Sequence, residues 1–182
     1  MTRKECLDFF NISDILDLPE AVWRLLRLDE SDRDVRYCEL IRLAGYDPSF
    51  DWFREVYEGE LSERKSKKQD FTPREVTELV GMLSGTSGSV HEPTAGTGGL
   101  LISWWWQGCR SELPWLYRPS GHRFNCWELS DRCIPVLLLN LSIRGMVGEV
   151  VHGDVLTREI KSVYRLENPN DDTLSFSRIV RL

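Results

Sequence analysis

Apolar residues recur three or four positions apart along the first third of the chain, which is the spacing of amphipathic helices. From residue 12 to residue 64 this pattern predicts a small lobe of packed helices. Ser31 is placed to cap the second helix and Gly45 to end it, while Asp47 and Pro48 open a third. Nothing in the lobe has obvious chemistry. Its aromatic residues are expected to be core or interface anchors, namely Trp23, Trp52 and Phe53.

A stronger helix start follows the basic run at residues 64–68. Thr72 fits the N-cap, Pro73 fits the first helical position, and Glu75 completes a capping box. The helix that follows is predicted to have one apolar face, formed by Val76, Leu79, Val80 and Leu83.

Strands and helices then alternate, which predicts an α/β fold with a parallel sheet and a ligand at the carboxyl edge of that sheet. The helix from Leu100 carries three consecutive tryptophans, residues 104–106. A position between the sheet and the helical lobe accounts for them, and base stacking or an oligomer contact is the alternative. The predicted strands are residues 89–91, 124–127, 149–152 and 162–166.

A glycine-dense turn joins the first strand to the helix from Leu100. Residues 92–99 read Glu-Pro-Thr-Ala-Gly-Thr-Gly-Gly. Gly96, Gly98 and Gly99 permit backbone angles and close approaches that side chains would block, so the turn suits a nucleoside cofactor.

Three further groups are expected at the same edge of the sheet. Glu128 ends the second strand and is placed to accept hydrogen bonds from ribose hydroxyls. Asp154 ends the third strand and suits an adenine amino group. The helix start at Phe71-Thr72-Pro73 favours a carboxylate. Together these groups fit S-adenosylmethionine, which has a ribose, an adenine and an amino-acid end but no phosphate.

Composition and charge limit the classes of protein that fit. The 182 residues allow one core and a small second subdomain, and the net charge of −6 opposes a phosphate backbone. Residues 64–68 form either a phosphate contact or a solvated linker. Five cysteines without a CxxC pair predict reduced thiols and no metal site. The absence of a long apolar run or a signal peptide in this sequence predicts a cytoplasmic protein.

Five elements in order resemble the gamma-class adenine-specific DNA methyltransferases, in particular the modification subunits of type I restriction systems and their phage-borne relatives. The stretch before the predicted helix is similar to G-x-F-[YF]-T-P, and the glycine turn is similar to D-P-x-x-G-T-G-G with Glu92 for the usual Asp. The later elements are similar to the acidic ribose-binding position, to N-L-x-x-H-G and to G-D-[ST]-L. The five stretches are residues 69–73, 92–99, 127–129, 140–145 and 153–156.

The resemblance implies a Rossmann-like, S-adenosylmethionine-dependent methyltransferase fold, reduced at the C-terminus and preceded by a small helical lobe. The expected division is residues 1–68 for the lobe and residues 69–182 for the cofactor domain. The implied cofactor-binding residues are Phe71, Thr72, Pro73, Glu92, Pro93, Thr94, Ala95, Gly96, Thr97, Gly98, Gly99, Glu128, Leu129, Asp154 and Val155.

The family's catalytic element, [ND]-P-P-[FY], has only a degenerate counterpart. In the family, the Asn or Asp side chain and the first proline's carbonyl accept hydrogen bonds from the target amine, and the aromatic ring stacks on the flipped base. Here Asn168 and Pro169 are followed by Asn170 and Asp171, so the second proline and the aromatic ring are missing. A turn between two strands is the structural alternative for this stretch.

These motifs leave three functions open. The first is an adenine-specific DNA methyltransferase-like protein that transfers a methyl group to the exocyclic amine of adenine, with DNA and a completing second chain as partners. The second is a catalytically inactive scaffold or decoy that contacts restriction-modification machinery. The third is a methyltransferase that acts on RNA or protein.

Overall fold

A five-stranded mixed sheet organises the fold of this computed structural model, which describes residues 1–57, 72–86, 88–113 and 115–182. The strands lie side by side in chain order. The first three are parallel, and the last two run antiparallel to their neighbours. Their bounds are β1 Gly88–Glu92, β2 His122–Glu128, β3 Val147–Asp154, β4 Glu159–Glu167 and β5 Arg178–Arg181.

Helices precede the sheet and connect its parallel strands. Within the described residues, four α-helices form the N-terminal lobe, one leads into β1, and two cross between β1, β2 and β3. None of the helices in the described ranges combines the length and the apolar composition that crossing a bilayer requires. Their bounds are α1 Arg3–Phe10, α2 Leu18–Leu26, α3 Glu30–Leu43, α4 Arg54–Val56, α5 Arg74–Leu83, α6 Gly99–Ser111 and α7 Cys133–Ser142.

The helix α7 is buried on all sides. Every residue from Cys133 to Ser142 is buried, as expected for a helix that is apolar around its whole circumference. One side packs into the core under the sheet and the other into the core of the lobe, so the two parts of the molecule share this helix. The sheet side includes Ile134, Leu137, Leu138 and Leu141, and the lobe side includes Cys133, Val136 and Leu139.

The lobe is helical as predicted, but two of its predicted helix starts are wrong. The N-cap of α3 is Asp29 rather than Ser31. No helix opens at Asp47 and Pro48, because the Asp47 side chain accepts the Ser49 amide and closes a local turn there. The predicted helix end is confirmed: α3 stops at Leu43, and Gly45 follows with a φ of 74°.

The predicted capping box before β1 is also wrong. The N-cap of α5 is Pro73, without a side-chain hydrogen bond, and the first helical residue is Arg74. In the first turn of α5, the Thr77 hydroxyl donates to the Arg74 carbonyl at 2.7 Å.

The apolar face of α5 is exposed, and the helix packs through its small residues. Among the described residues of α5, Thr77 and Gly81 are buried. A Cβ on Gly81 would lie 2.4 Å from the Ser103 side-chain oxygen, so glycine permits the close approach to α6. The four apolar residues named from the sequence are 39–77% exposed, namely Val76, Leu79, Val80 and Leu83.

The tryptophans of α6 lie mainly in the core. Trp104 and Trp105 are buried with the apolar residues under the sheet, and Trp106 packs against the same cluster while half-buried. The tilted ring pair of Trp105 and Trp106 has its centroids 5.9 Å apart. Trp104 and Trp105 thus occupy the sheet side of the predicted position, in the core cluster under the sheet and not in that of the lobe.

After β3 the strands are no longer parallel to their neighbours, so the sheet differs from the purely parallel one predicted. Only residues 155–158 separate β3 from β4, which is too short for the crossover that a parallel pair needs. The prediction of a fourth strand is confirmed as β4, which pairs antiparallel with both neighbours. The turn composition of residues 168–172 accordingly connects two antiparallel strands, β4 and β5.

Candidate functional site

A cavity of about 540 Å³ lies at the carboxyl ends of β1, β2 and β3. Parallel strands present their carboxyl ends at one edge of a sheet, so three separate loops reach this cavity. Most of the cofactor residues predicted from the sequence line it. They are residues 92–97 and 99 together with Thr72, Glu128, Leu129, Asp154 and Val155.

Of the three remaining predicted cofactor residues, Phe71 lies outside the described residues. The other two, Pro73 and Gly98, do not line the cavity, and Pro73 serves as the N-cap of α5. Gly98 is the N-cap of α6 with a φ of 97°, in the left-handed region that favours glycine. A Cβ on Gly98 would lie 3.0 Å from the Leu137 side chain, so this glycine serves the turn and its packing on α7.

Glu128 holds the glycine loop against the end of β2. One carboxylate oxygen accepts the Gly96 amide and the other accepts the Ser130 amide, each at 2.7 Å. The neighbouring backbone adds a bond from the Ala95 amide to the Trp127 carbonyl at 2.9 Å. With 7% exposure, Glu128 is a nearly buried acceptor that lines the cavity.

Two other carboxylates predicted from the sequence, Glu92 and Asp154, border the cavity. Burial raises the pKa of Glu92, and a hydrogen bond from the Thr94 backbone acts in the opposite direction. One oxygen of Asp154 accepts the Leu156 amide at 2.8 Å and the Thr157 amide at 3.3 Å. These bonds orient the Asp154 side chain and leave its second oxygen without a hydrogen bond in the described parts of the chain.

A buried polar network ties the helical lobe to the glycine loop. The Thr97 hydroxyl donates to one oxygen of Asp51. The other oxygen accepts the Phe53 amide at 2.9 Å and the Asn140 amide group at 2.8 Å. Asn140 also donates to the Thr97 carbonyl at 2.8 Å. Burial raises the pKa of Asp51, and these donors act against that shift.

Arg144, just beyond α7, extends the network into the lobe. Its guanidinium donates to the Pro48 carbonyl at 2.8 Å, to the Phe50 carbonyl at 2.7 Å and to the Asn140 carbonyl at 2.8 Å. The guanidinium also lies 4.5 Å from the centroid of the Trp52 ring. Burial lowers the pKa of Arg144 to about 10, although the nearby Asp51 acts to raise it.

The sequence interpretation missed the contribution of the lobe to the cavity. Asp51 and Arg54 both line it, yet the lobe was predicted to carry no chemistry. A signal was present in the sequence, because Asp51 directly precedes Trp52 and Phe53, which were expected to be core or interface anchors, and an aspartate buried with them needs a set of donors.

Asn168 and Pro169 lie at the opposite edge of the sheet. They line a second cavity of about 580 Å³ beside the amino ends of β2 and β3, with Phe124 and Gly148. The Asn168 amide group donates to the Asp172 carbonyl at 2.8 Å and to the Gly145 and Ser175 carbonyls at 3.2 Å. The structure thus separates these two residues from the predicted cofactor site and uses Asn168 to close a loop.

Metal ligation has no candidate cluster in the part of the chain that the structure describes. No three histidine, cysteine, aspartate or glutamate side chains come together there in a way that would hold an ion.

Part of the chain matches a known protein family. Residues 49–161 match the family described as N-6 DNA methylase, and this range is more than half of the chain. The protein therefore belongs to the N-6 DNA methylase family. The matched range begins just before Asp51 and contains every residue that lines the first cavity, whereas Asn168 and Pro169 fall outside it. A search of curated proteins found no match.

Proposed function

We propose that the protein binds S-adenosylmethionine in the first cavity and is an adenine-specific DNA methyltransferase-like protein of the gamma class, related to type I modification subunits. The proposal includes a Rossmann-like cofactor domain at residues 69–182 and a helical lobe at residues 1–68. One observation carries it: a single cavity holds the glycine loop, Glu128 and Asp154 at the ends of three adjacent parallel strands.

The chemistry of the cavity wall supports this ligand. A volume of about 540 Å³ lies within the range of small-molecule sites. The Glu128 carboxylate lines the cavity and suits the ribose hydroxyls, and the second oxygen of Asp154 suits the adenine amine. The glycine loop brings its backbone to the cavity between these acids and the lobe.

Family membership supports DNA as the substrate. When bound, the cofactor supplies a methyl group on a sulfonium. That methyl group would be transferred to the exocyclic amine of adenine, and the residues that would hold the cofactor are those of the glycine loop with Glu128 and Asp154. The described residues of the cavity bind and orient the cofactor in this scheme.

Calorimetric titration with S-adenosylmethionine tests the binding proposal. We expect a saturable signal for the wild type and about tenfold weaker binding for Asp154→Asn, because the amide group presents a donor in place of an acceptor. Asp171→Asn is the matched control, since Asp171 bonds Ser120 far from the cavity. Absence of wild-type binding at millimolar ligand would show that the proposal is wrong.

A second candidate function is a non-catalytic protein that retains the cofactor fold as a scaffold or decoy for restriction-modification machinery. The position of Asn168 and Pro169 favours it, because these degenerate counterparts of the catalytic element line the second cavity rather than the first. Net charge supports it as well, since −6 does not favour a phosphate backbone.

Transfer of a labelled methyl group to adenine-containing duplexes separates the two candidates. For the protein alone we expect no incorporation above background, because Asn168 is engaged with three backbone carbonyls away from the cofactor cavity. Asn168→Ala should therefore behave like the wild type in this assay. Robust incorporation that Asn168→Ala abolishes would restore this residue to a catalytic role and exclude the scaffold.

A further inference from the structure

The lobe presents two opposite charges to the first cavity. Asp51 and Arg54 both line it, three positions apart at the start of α4. Asp51 is 8% exposed, and its contact with the Thr97 hydroxyl fixes it beside the glycine loop. The lobe therefore adds a carboxylate and a guanidinium group to the carboxylates that the strand ends supply.

The order of the strands sets which part of a ligand meets this wall. The glycine loop follows β1, Glu128 ends β2 and Asp154 ends β3, and these strands are neighbours in that order. With a ribose at Glu128 and a base at Asp154, as the proposed function requires, the rest of the ligand extends over the glycine loop. Asp51 meets the cavity on that side, through its bond with Thr97.

That remaining part of S-adenosylmethionine is a zwitterion with one ammonium and one carboxylate group. We infer that Asp51 and Arg54 form the subsite for this amino-acid end, with Asp51 accepting hydrogen bonds from the ammonium group and Arg54 donating to the carboxylate. The inference rests on the proposed function and adds to it two side chains from outside the cofactor motifs.

The hydrogen bonds of Asp51 leave room for this contact. One oxygen accepts the Phe53 and Asn140 donors, and the other accepts only the Thr97 hydroxyl within the described residues. Because an ionised carboxylate offers about four lone-pair sites, the second oxygen has capacity for an ammonium donor. The nearby guanidinium of Arg144 is committed to backbone carbonyls of the lobe and of α7.

Asp51 is also pre-organised for a cation. Its carboxylate is held by three donors before any ligand arrives, so binding would cost little side-chain entropy. Burial disfavours its charge and raises its pKa, and an ammonium group at hydrogen-bond distance would offset that penalty.

Three ligands distinguish this subsite from a purely structural role. S-adenosylmethionine and S-adenosylhomocysteine both carry the amino-acid end, whereas 5′-methylthioadenosine keeps the adenosine and lacks that end. Asp51→Asn and Arg54→Gln should each weaken binding of the first two by about tenfold or more. Neither substitution should change the affinity for methylthioadenosine by more than about twofold.

The substitution at Asp51 is designed to keep the fold. Asparagine retains the oxygen that accepts the Phe53 and Asn140 donors, and its amide group can donate to the Thr97 hydroxyl. Asp47→Asn is the matched control, because Asp47 lies in the same segment, bonds Ser49 and does not line the cavity. Arg27→Gln, on the lobe surface, is the control for Arg54. Both controls should bind all three ligands like the wild type.

Each outcome has one consequence. Equal weakening of all three ligands by Asp51→Asn would make Asp51 a clamp of the glycine loop and would overturn the subsite. Unchanged affinities, or a wild type that binds methylthioadenosine as tightly as S-adenosylmethionine, would overturn it too. A wild type that binds none of the three would instead refute the proposed cofactor function, on which the subsite depends.

Discussion

Replacing Arg144 with methionine is expected to lower the free energy of unfolding by about 3 kcal/mol or more. The guanidinium is 4% exposed and donates to the carbonyls of Pro48, Phe50 and Asn140, which would lose their donor inside the protein. Asp51 would at the same time lose the nearby positive charge that favours its ionised form. Urea denaturation at neutral pH measures the change.

Two further variants provide comparisons for Arg144→Met. Arg144→Lys keeps the charge but lacks the planar set of five donors, so its loss should be intermediate. Arg165→Met is the matched control, because Arg165 is half-exposed on β4 and its ion pair with Glu149 lies at the surface. Its effect should stay within about 0.5 kcal/mol. A loss below about 1 kcal/mol for Arg144→Met would contradict the role assigned to the buried network.

Replacing Glu128 with alanine should weaken S-adenosylmethionine binding about 100-fold. The substitution removes the acceptor that we propose for the ribose hydroxyls, and it also frees the Gly96 and Ser130 amides that now hold the loop in place. Calorimetric titration measures the affinity, and thermal unfolding of the same variant without ligand measures the loss of the loop anchor.

Glu128→Gln separates these two contributions. Glutamine keeps one acceptor oxygen but directs an amide donor at either Gly96 or Ser130, so it should bind more tightly than alanine and less tightly than the wild type. Glu149→Gln is the control, since Glu149 pairs with Arg165 on the opposite side of β3 from the cofactor loop. Wild-type affinity in Glu128→Ala would exclude Glu128 from the site.

Much of the first cavity could be predicted because its parts are local. A glycine turn after a strand, and an acidic residue at the end of each following strand, can be recognised within a few residues of sequence. Parallel pairing of β1, β2 and β3 then brings Glu92, Glu128 and Asp154 to one edge. No long-range packing detail was needed for that step, because strand direction alone decides which ends meet.

The contribution of the lobe depended on tertiary contacts that no local pattern reports. Asp51 is separated from Thr97 by 46 positions and from Asn140 by 89 positions, and only the docking of the lobe on α7 joins them. The exposed face of α5 has a similar cause. Its apolar spacing is typical of a buried face, but the small residues Thr77 and Gly81 give the closer contact with α6.

The position of the degenerate catalytic element could not be predicted from its composition. From composition alone, residues 168–171 could form either a reactive loop or a turn. Their location follows from the short connection after β3, which reverses the chain and sends β4 back towards the amino edge of the sheet. A helix-length crossover at that point would have delivered the next loop to the carboxyl edge instead.

Burial of α7 on both sides has a consequence for how a ligand enters and leaves. Because the lobe core and the sheet core interlock on the same helix, a hinge opening between them would expose apolar side chains from both. Access to the cavity is therefore expected to depend on short excursions of the segments at its mouth, such as residues 153–156. Exchange rates for a ligand should then follow the mobility of those segments while the two cores stay docked.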